Sequence, residues 1–245
     1  MSWTEQVNLS EKVALVTGGS EGIGTAIAAE LARAGATVVV TSRSTERAAQ
    51  VAADIDGEVI GMGCDVRDYA ACEALVAAID ERFGRLDVLV NNAGLGIFKP
   101  VQELSVDEWT LQVETNLNGT FFTTKAALPL LQRAGRGGDG DAWLINIGSL
   151  ASRNSFGSGA GYNASKFGLL GMTEAMMIDL RYDGIRVSII MPGSVNTGFN
   201  DHAGDRDWAI QPDDVGRAVL QLVAYPTNTL VSRIEMRPSR PARRS

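Results

Sequence analysis

Histidine is almost absent from the 245-residue chain, with His202 its single example, and there are only two cysteines, Cys64 and Cys72. One histidine and two cysteines eight residues apart do not make up a zinc or iron–sulfur ligand set, so no metal is expected. They supply no disulfide framework either, which fits a reducing, cytoplasmic setting. His202 lies in a polar stretch, Asn200 to Asp205, and reads as a surface-loop residue. Excess positive charge is also missing. The formal net charge is -7, whereas nucleic-acid binding calls for clustered cations, so no nucleic-acid partner is expected. Long apolar runs are lacking too. Stretches such as Ala36 to Val40 are far too short to cross a bilayer, and the first ten residues have neither the basic nor the apolar part of a signal peptide.

What the chain does have is short apolar runs alternating with helical periods. Strands are expected at Val13–Val16, Thr37–Thr41, Val59–Cys64, Asp87–Asn91, Ala142–Gly148, Ile185–Met191 and Leu230–Met236. Helices are expected between them, at Gly22–Ala34, Thr45–Asp54, Asp68–Phe83, Val106–Gln132, Tyr162–Arg181 and Asp213–Ala224. Gly135–Gly140 reads as a glycine-rich turn. Runs apolar throughout mark strands covered on both faces. The expected architecture is therefore one doubly wound α/β domain over residues 1–245, with a seven-stranded, mostly parallel sheet and helices on both faces. A short polar lid at 194–211 and a solvated basic tail at 237–245 complete it.

The turn after the first strand reads Thr17-Gly18-Gly19-Ser20-Glu21-Gly22-Ile23-Gly24. Backbone amides at a helix N-terminus, free of side-chain bulk, can approach and bind a pyrophosphate. Further on, Tyr162 and Lys166 stand four residues apart, on one face of the expected helix, with Ser149 upstream. An ammonium one turn away is expected to lower the phenol's pKa from its usual value of about 10. A phenol so tuned can exchange a proton with an alcohol or a carbonyl.

The glycine spacing Thr17-Gly18-x-x-x-Gly22-x-Gly24 resembles that of the short-chain dehydrogenase/reductase family. So do Asn91-Asn92-Ala93-Gly94, the order of Asn116, Ser149, Tyr162 and Lys166, and Pro192-Gly193-Ser194-Val195-Asn196-Thr197. The resemblance runs from Lys12 to about Met236. It implies a nicotinamide cofactor at the switch point between the first and fourth strands. Asp65, between Cys64 and Val66, would take the adenine. Asn92, Ala93 and Gly94 would run along the adenosine, and Pro192, Gly193, Val195 and Thr197 would meet the carboxamide and pyrophosphate. It also implies Ser149 as oxyanion partner, Tyr162 as proton donor and acceptor, Lys166 as its tuning cation and ribose ligand, and Asn116 as the anchor of a water in a proton relay.

Cofactor choice turns on charge. Ser42 stands where NAD enzymes usually carry an acid, and Arg43 follows. A charge-assisted bond from Arg43 to a 2′-phosphate is worth about 1.5–3 kcal/mol. Glu21 opposes it by about 1 kcal/mol. The balance favours NADP(H), with NAD(H) possible. The chain lacks the glycine-rich closing segment of the fatty-acid-synthesis reductases and is closer to oxidoreductases of small hydroxy acids or ketones. The expected substrate is a small ketone, hydroxy acid or 3-oxoacyl compound, with Ser155, Phe156 and Gly94–Phe98 as pocket walls and Phe199 and Trp208 on the lid. The resemblance also implies a homodimer or homotetramer through paired long helices carrying Phe121, Phe122, Met172, Met176 and Met177. The alternative is a cofactor-binding regulator or scaffold on the same fold.

Overall fold

The computed structural model describes residues 7–137, 142–199 and 206–241. His202, the tip of the glycine-rich turn, the middle of the lid and the end of the tail lie outside the described residues.

One sheet is built from β1 (Val13–Val16), β2 (Thr37–Ser42), β3 (Val59–Gly63), β4 (Val88–Asn91), β5 (Ala142–Ile147), β6 (Ile185–Pro192) and β7 (Arg233–Met236). The order is β3-β2-β1-β4-β5-β6-β7. Every neighbouring pair is parallel, so the sheet is parallel throughout rather than mostly so. β1 pairs with both β2 and β4. The chain therefore reverses its direction of winding there, which opens a crevice at the carboxyl ends of β1 and β4.

Alternate residues of each strand point to opposite faces. Ala14, Val16, Val38 and Val40 pack with Ile27 and Leu31 of α1 (Gly22–Arg33) and Val215 and Val219 of α7 (Pro212–Ala224). Val13, Leu15, Val39 and Leu89 pack on the other face with Leu75 and Ile79 of α3 (Tyr69–Phe83) and Leu130 and Leu131 of α5 (Gly119–Gly135). Each large apolar side chain buried this way contributes about 1.5–3 kcal/mol. α2 (Thr45–Ala53) packs against β2 and β3. Among the described residues no helix is long and apolar enough to cross a membrane.

The structure differs from expectation in three places. The single helix expected over Val106–Gln132 is broken into α4 (Val106–Val113), one π turn (Glu114–Asn118) and α5. The break centres on Asn116, whose side-chain amide is sewn to both backbone groups of Leu95. The last strand starts at Arg233 rather than Leu230. On α6 (Ala160–Leu180), Met176 and Met177 pack inward on the second core layer and Met172 on a smaller cluster with Leu169. Phe122 also packs inward. Of the expected set Phe121 is exposed, and Phe167 and Ile178 of α6 are exposed in place of the methionines.

Candidate active site

The glycine-rich turn is tied to the segment after β4. Thr17 Oγ1 accepts from the backbone N–H groups of Asn92 and Ala93, both at 3.1 Å. Asn92 Nδ2 donates back to the carbonyls of Thr17 at 3.0 Å and Gly18 at 2.9 Å. The glycines are needed where the backbone crowds. A Cβ on Gly24 would lie 2.3 Å from the Gly18 carbonyl oxygen, and one on Gly18 would lie 2.8 Å from Ala93 Cα. Gly18 and Gly22 also adopt φ of 61° and 55°, the left-handed region. Glu21 precedes α1 in extended conformation and makes no side-chain cap, so nothing from its side chain fills the helix N-terminus. Ile23 packs on the first core layer. Ser20 lies half-buried in the same turn. Thr197, after β6, approaches this turn: a Cβ on Gly22 would meet its Cγ2 at 3.0 Å.

Ser42 ends β2, its hydroxyl donating to the Ser44 carbonyl at 2.6 Å. Arg43 is exposed. Asp65 accepts from Arg67 through both Nε (2.9 Å) and Nη2 (2.5 Å). That guanidinium, with a further contribution from Arg43, holds the Asp65 carboxyl below the usual carboxylate range. Arg43 thus lies near enough to Asp65 to act on its charge. Arg67 was not anticipated; its signal was a basic residue two positions from an acid at a strand end. Cys64 is buried, and the neighbouring Cys72 thiol, then burial, push its thiol well up. A thiol held protonated this way is a packing group, not a nucleophile. Val66 is buried against Gly119.

Ser149 follows β5 by two residues and opens a 3₁₀ turn, Leu150–Ser152. Its Oγ accepts from Ala151 N–H at 3.1 Å, which leaves the hydroxyl proton free to donate. Ser149 acts on the Tyr162 phenol, drawing its pKa down. Asn163, next along α6, donates to the carbonyls of Ala151 (2.9 Å) and Asn154 (3.2 Å), fixing the Ser149 loop on the helix that carries Tyr162.

Tyr162 and Lys166 share one face of α6, as the spacing requires, but the electrostatics differ from expectation. Lys166 Nζ donates to the Ile147 carbonyl at 2.9 Å and lies 5.9 Å from the Tyr162 ring centre. Burial raises the Tyr162 pKa above its ordinary value, and the Ser149 hydroxyl only partly opposes it. Burial also lowers the Lys166 pKa to about 8. The expected lowering by the ammonium is overturned because desolvation disfavours both charged forms and the ammonium is aimed at a carbonyl.

Asn116 is buried in the π turn. Besides Leu95, its Nδ2 donates to Ser165 Oγ at 3.0 Å, and Ser165 donates to the Tyr162 carbonyl at 2.8 Å. The side-chain amide is therefore used in positioning α6. Asn116 and Lys166 face each other across Gly94, where an added Cβ would lie 3.1 Å from Asn116 Oδ1 and 3.6 Å from Lys166 Nζ. Gly193 N–H donates to the Met236 carbonyl at 2.9 Å, anchoring the Pro192–Gly193 turn to β7. Val195 bridges to Ile210, which closes the base of the lid.

Asn91 belongs to the motif read from the sequence, but its partners Thr124, Asn146 and Thr173 had no visible signal there. Asn91 Nδ2 donates to Thr124 Oγ1 (3.0 Å) and Asn146 Oδ1 (2.9 Å), and Asn146 Nδ2 donates to Thr173 Oγ1 (2.8 Å). These buried bonds link β4 and β5 to the helices carrying the site, and hold them in one register.

The side chains and glycines fit a dinucleotide. Left-handed and Cβ-intolerant glycines form a cradle at the α1 N-terminus, Arg43 stands exposed at the end of β2, and a buried ammonium lies beside Gly94.

Residues 12–208 match the family described as short chain dehydrogenase. A 3beta-hydroxysteroid dehydrogenase of Mediterraneibacter gnavus is 39% identical over 197 residues, covering 79% of this chain and 69% of that protein. A trans-4-hydroxycyclohexanecarboxylate dehydrogenase of Sinomonas cyclohexanicum is 39% identical over 198 residues, covering 77% and 74%. Among solved structures, an alcohol dehydrogenase of the archaeon Thermococcus sibiricus complexed with 5-hydroxy-NADP superposes with a TM-score of 0.86 at 32% identity, covering 95% of this chain and 99% of that one. A metagenomic short-chain oxidoreductase in complex with NADP gives 0.82 at 36% identity, covering 95% and 99%.

Proposed function

The chain belongs to the short-chain dehydrogenase/reductase family, and from that premise we propose that it is an NADP(H)-dependent oxidoreductase interconverting a carbonyl and a secondary alcohol. The observation that carries the reading is the gathering of Ser149, at the carboxyl end of β5, with Tyr162 and the buried Lys166 one turn on along α6. Two structural relatives bound to NADP-type cofactors and two named for hydroxysteroid and hydroxycyclohexanecarboxylate substrates support it.

Thr17, Gly18, Ser20, Gly22, Ile23 and Gly24 would hold the pyrophosphate, and Arg43 the 2′-phosphate. Asp65 would meet the adenine, and Asn92, Ala93 and Gly94 the adenosine side. Pro192, Gly193, Val195 and Thr197 would close over the nicotinamide end. When bound, the cofactor supplies or accepts the hydride. Tyr162 Oη–H is the proton source for the substrate oxygen. Its raised pKa keeps the proton loaded at neutral pH, and Ser149 steadies the phenolate that remains. In the reverse direction the same phenolate takes the alcohol proton. Lys166, cationic at neutral pH, places a buried positive charge on the phenolate's side of α6. Asn116 holds α6 in place through Ser165 and Leu95.

The whole chain is read as one catalytic domain in a cytoplasmic homodimer or homotetramer. Exposed Phe121 on α5 and Phe167 and Ile178 on α6 offer the contact surface, and light scattering measures its use. Oxidation of NADPH, followed optically against a panel of ketones, diketones and 3-oxoacyl thioesters, tests the activity. Turnover on at least one class is expected. Tight NADPH binding with no turnover anywhere would return the chain to a regulatory role.

A further inference from the structure

Two phenylalanines from different loops, Phe98 and Phe199, pack on the phenol of Tyr162, and a third, Phe156, packs on Phe98. Phe98, after β4, meets the Tyr162 ring edge-on, with centroids 5.4 Å apart at 87°. The Phe98 ring also meets Phe156, after β5, at 5.4 Å and 76°. Phe199, after β6, meets Tyr162 from another side at 6.0 Å and 57°. Two glycines make room for them. A Cβ on Gly96 would lie 2.9 Å from Phe98 Cζ and 3.2 Å from Phe199 Cε1, and one on Gly159 would lie 2.7 Å from Phe156 Cε2.

These rings are not finished core. Phe98 is 38% exposed, Phe156 46% and Phe199 40%. Contiguous exposed aromatic surface beside a buried reactive group marks a binding surface. Its neighbouring cations are engaged: Lys99 pairs with Glu108 at 2.5 Å and Arg153 with Glu235 at 2.6 Å. Each cation is thus already matched to a carboxylate.

Resting on the oxidoreductase reading above, we infer that this pocket selects a ketone or secondary alcohol carried on or beside a compact apolar ring, over short hydroxy acids and 3-oxoacyl thioesters. Aromatic faces set nearly at right angles suit the edges and faces of a rigid ring, which loses little conformational freedom on entry. A flexible acyl chain forfeits its rotamers there, and Lys99 and Arg153, each already matched to a carboxylate, offer a substrate acid little further attraction. In the reductive direction, hydride from NADPH adds to the ring ketone's carbonyl carbon and the Tyr162 proton goes to its oxygen, yielding the secondary alcohol and NADP.

The test compares kcat/KM for 4-tert-butylcyclohexanone and 1-indanone with that for acetoacetate and an acetoacetyl thioester. Ring ketones are expected to lead by at least about tenfold, the scale set by a few methylene groups in an apolar pocket. Phe98→Leu should raise KM for ring ketones with little change in kcat, because the contact is made equally before and during reaction. Phe98→Tyr should restore most of the loss. Calorimetry of the same compounds on the NADPH-loaded Tyr162→Phe variant should give the same order of affinity without turnover. Equal or better kcat/KM for the acyclic acids or thioesters overturns the inference. So does a ring-to-chain ratio unmoved by Phe98→Leu in a variant that still binds NADPH. If no compound turns over at all, the oxidoreductase reading falls, and calorimetry still decides whether ring ketones are the preferred ligands.

Discussion

Lys166 directs its ammonium at the carbonyl oxygen of Ile147, 2.9 Å away, and not at the phenol of Tyr162 one turn before it. The lysine is thereby anchored to the end of β5, the strand that also delivers Ser149. Helix and strand meet at this bond, which fixes the charge relative to the sheet as well as to the tyrosine.

That burial makes stability depend on pH. The Lys166 pKa falls to about 8 in the folded chain from 10.5. Between those values the unfolded chain binds more protons, so the lysine's contribution to stability rises with pH over this window and is flat below it. The full difference is on the order of 3 kcal/mol. Tyr162 and Cys64, both raised, act in the opposite sense above pH 10 and pH 9, so the wild type must be compared with Lys166→Met. Urea midpoints should converge for the two proteins as pH rises, with the variant the more stable near pH 7. Parallel curves would rule out a depressed lysine.

Tyr162→Phe removes the proton and keeps the ring contacts with Phe98 and Phe199. We expect kcat to drop by about 10²–10⁴-fold, the usual worth of a positioned acid, with NADPH affinity retained in a fluorescence titration. A variant with most of its turnover intact would mean that the proton comes from elsewhere.

Cofactor preference should follow two charges. Arg43→Ala is expected to weaken NADPH by about tenfold or more, from the loss of a charge-assisted hydrogen bond, while leaving NADH nearly unaffected. Glu21→Gln should tighten NADPH by about fivefold, the equivalent of roughly 1 kcal/mol of repulsion removed. Steady-state kinetics with both cofactors measures this, and equal or better kcat/KM with NADH for the unaltered protein would refute the assignment.

Thr17→Val keeps the shape but removes the acceptor of two backbone N–H groups, those of Asn92 and Ala93. An unpaired buried donor costs about 1–3 kcal/mol. A loss of that size in urea unfolding is expected, together with weaker NADPH binding because the glycine-rich turn loses its brace.

Much of this site was legible from short motifs. The strands stand out because glycine turns bracket apolar runs, as with Val13–Val16 before Gly18. The pair Tyr162 and Lys166 stands out because helical spacing places four-apart residues on one face. What escaped depends on contacts between distant residues. The direction of the Lys166 ammonium is set by Ile147, nineteen positions away. The Asn91–Asn146 bond joins residues 55 apart. Met176 and Met177 could have faced a partner or the sheet, and only the packing of α6 on β5 and β6 decides for the sheet. The π turn escaped because no residue of Glu114–Asn118 breaks a helix, and the Asn116–Leu95 pairing that accompanies it joins residues 21 apart.

That turn makes the chain's tolerance to length changes lopsided. A π turn is a helix with one residue too many. Removing one residue from Glu114–Asn118 would let α4 and α5 run on as a continuous α-helix, an apparently healthier backbone. Each residue advances a helix by about 100°, so the repaired helix could keep α4 or α5 in place, but not both. Asn116 would let go of Leu95, and Ser165 would lose its partner. The irregular stretch is thus a phase adjuster between two correctly packed halves, and straightening it would dismantle the site while leaving the fold's helix content intact.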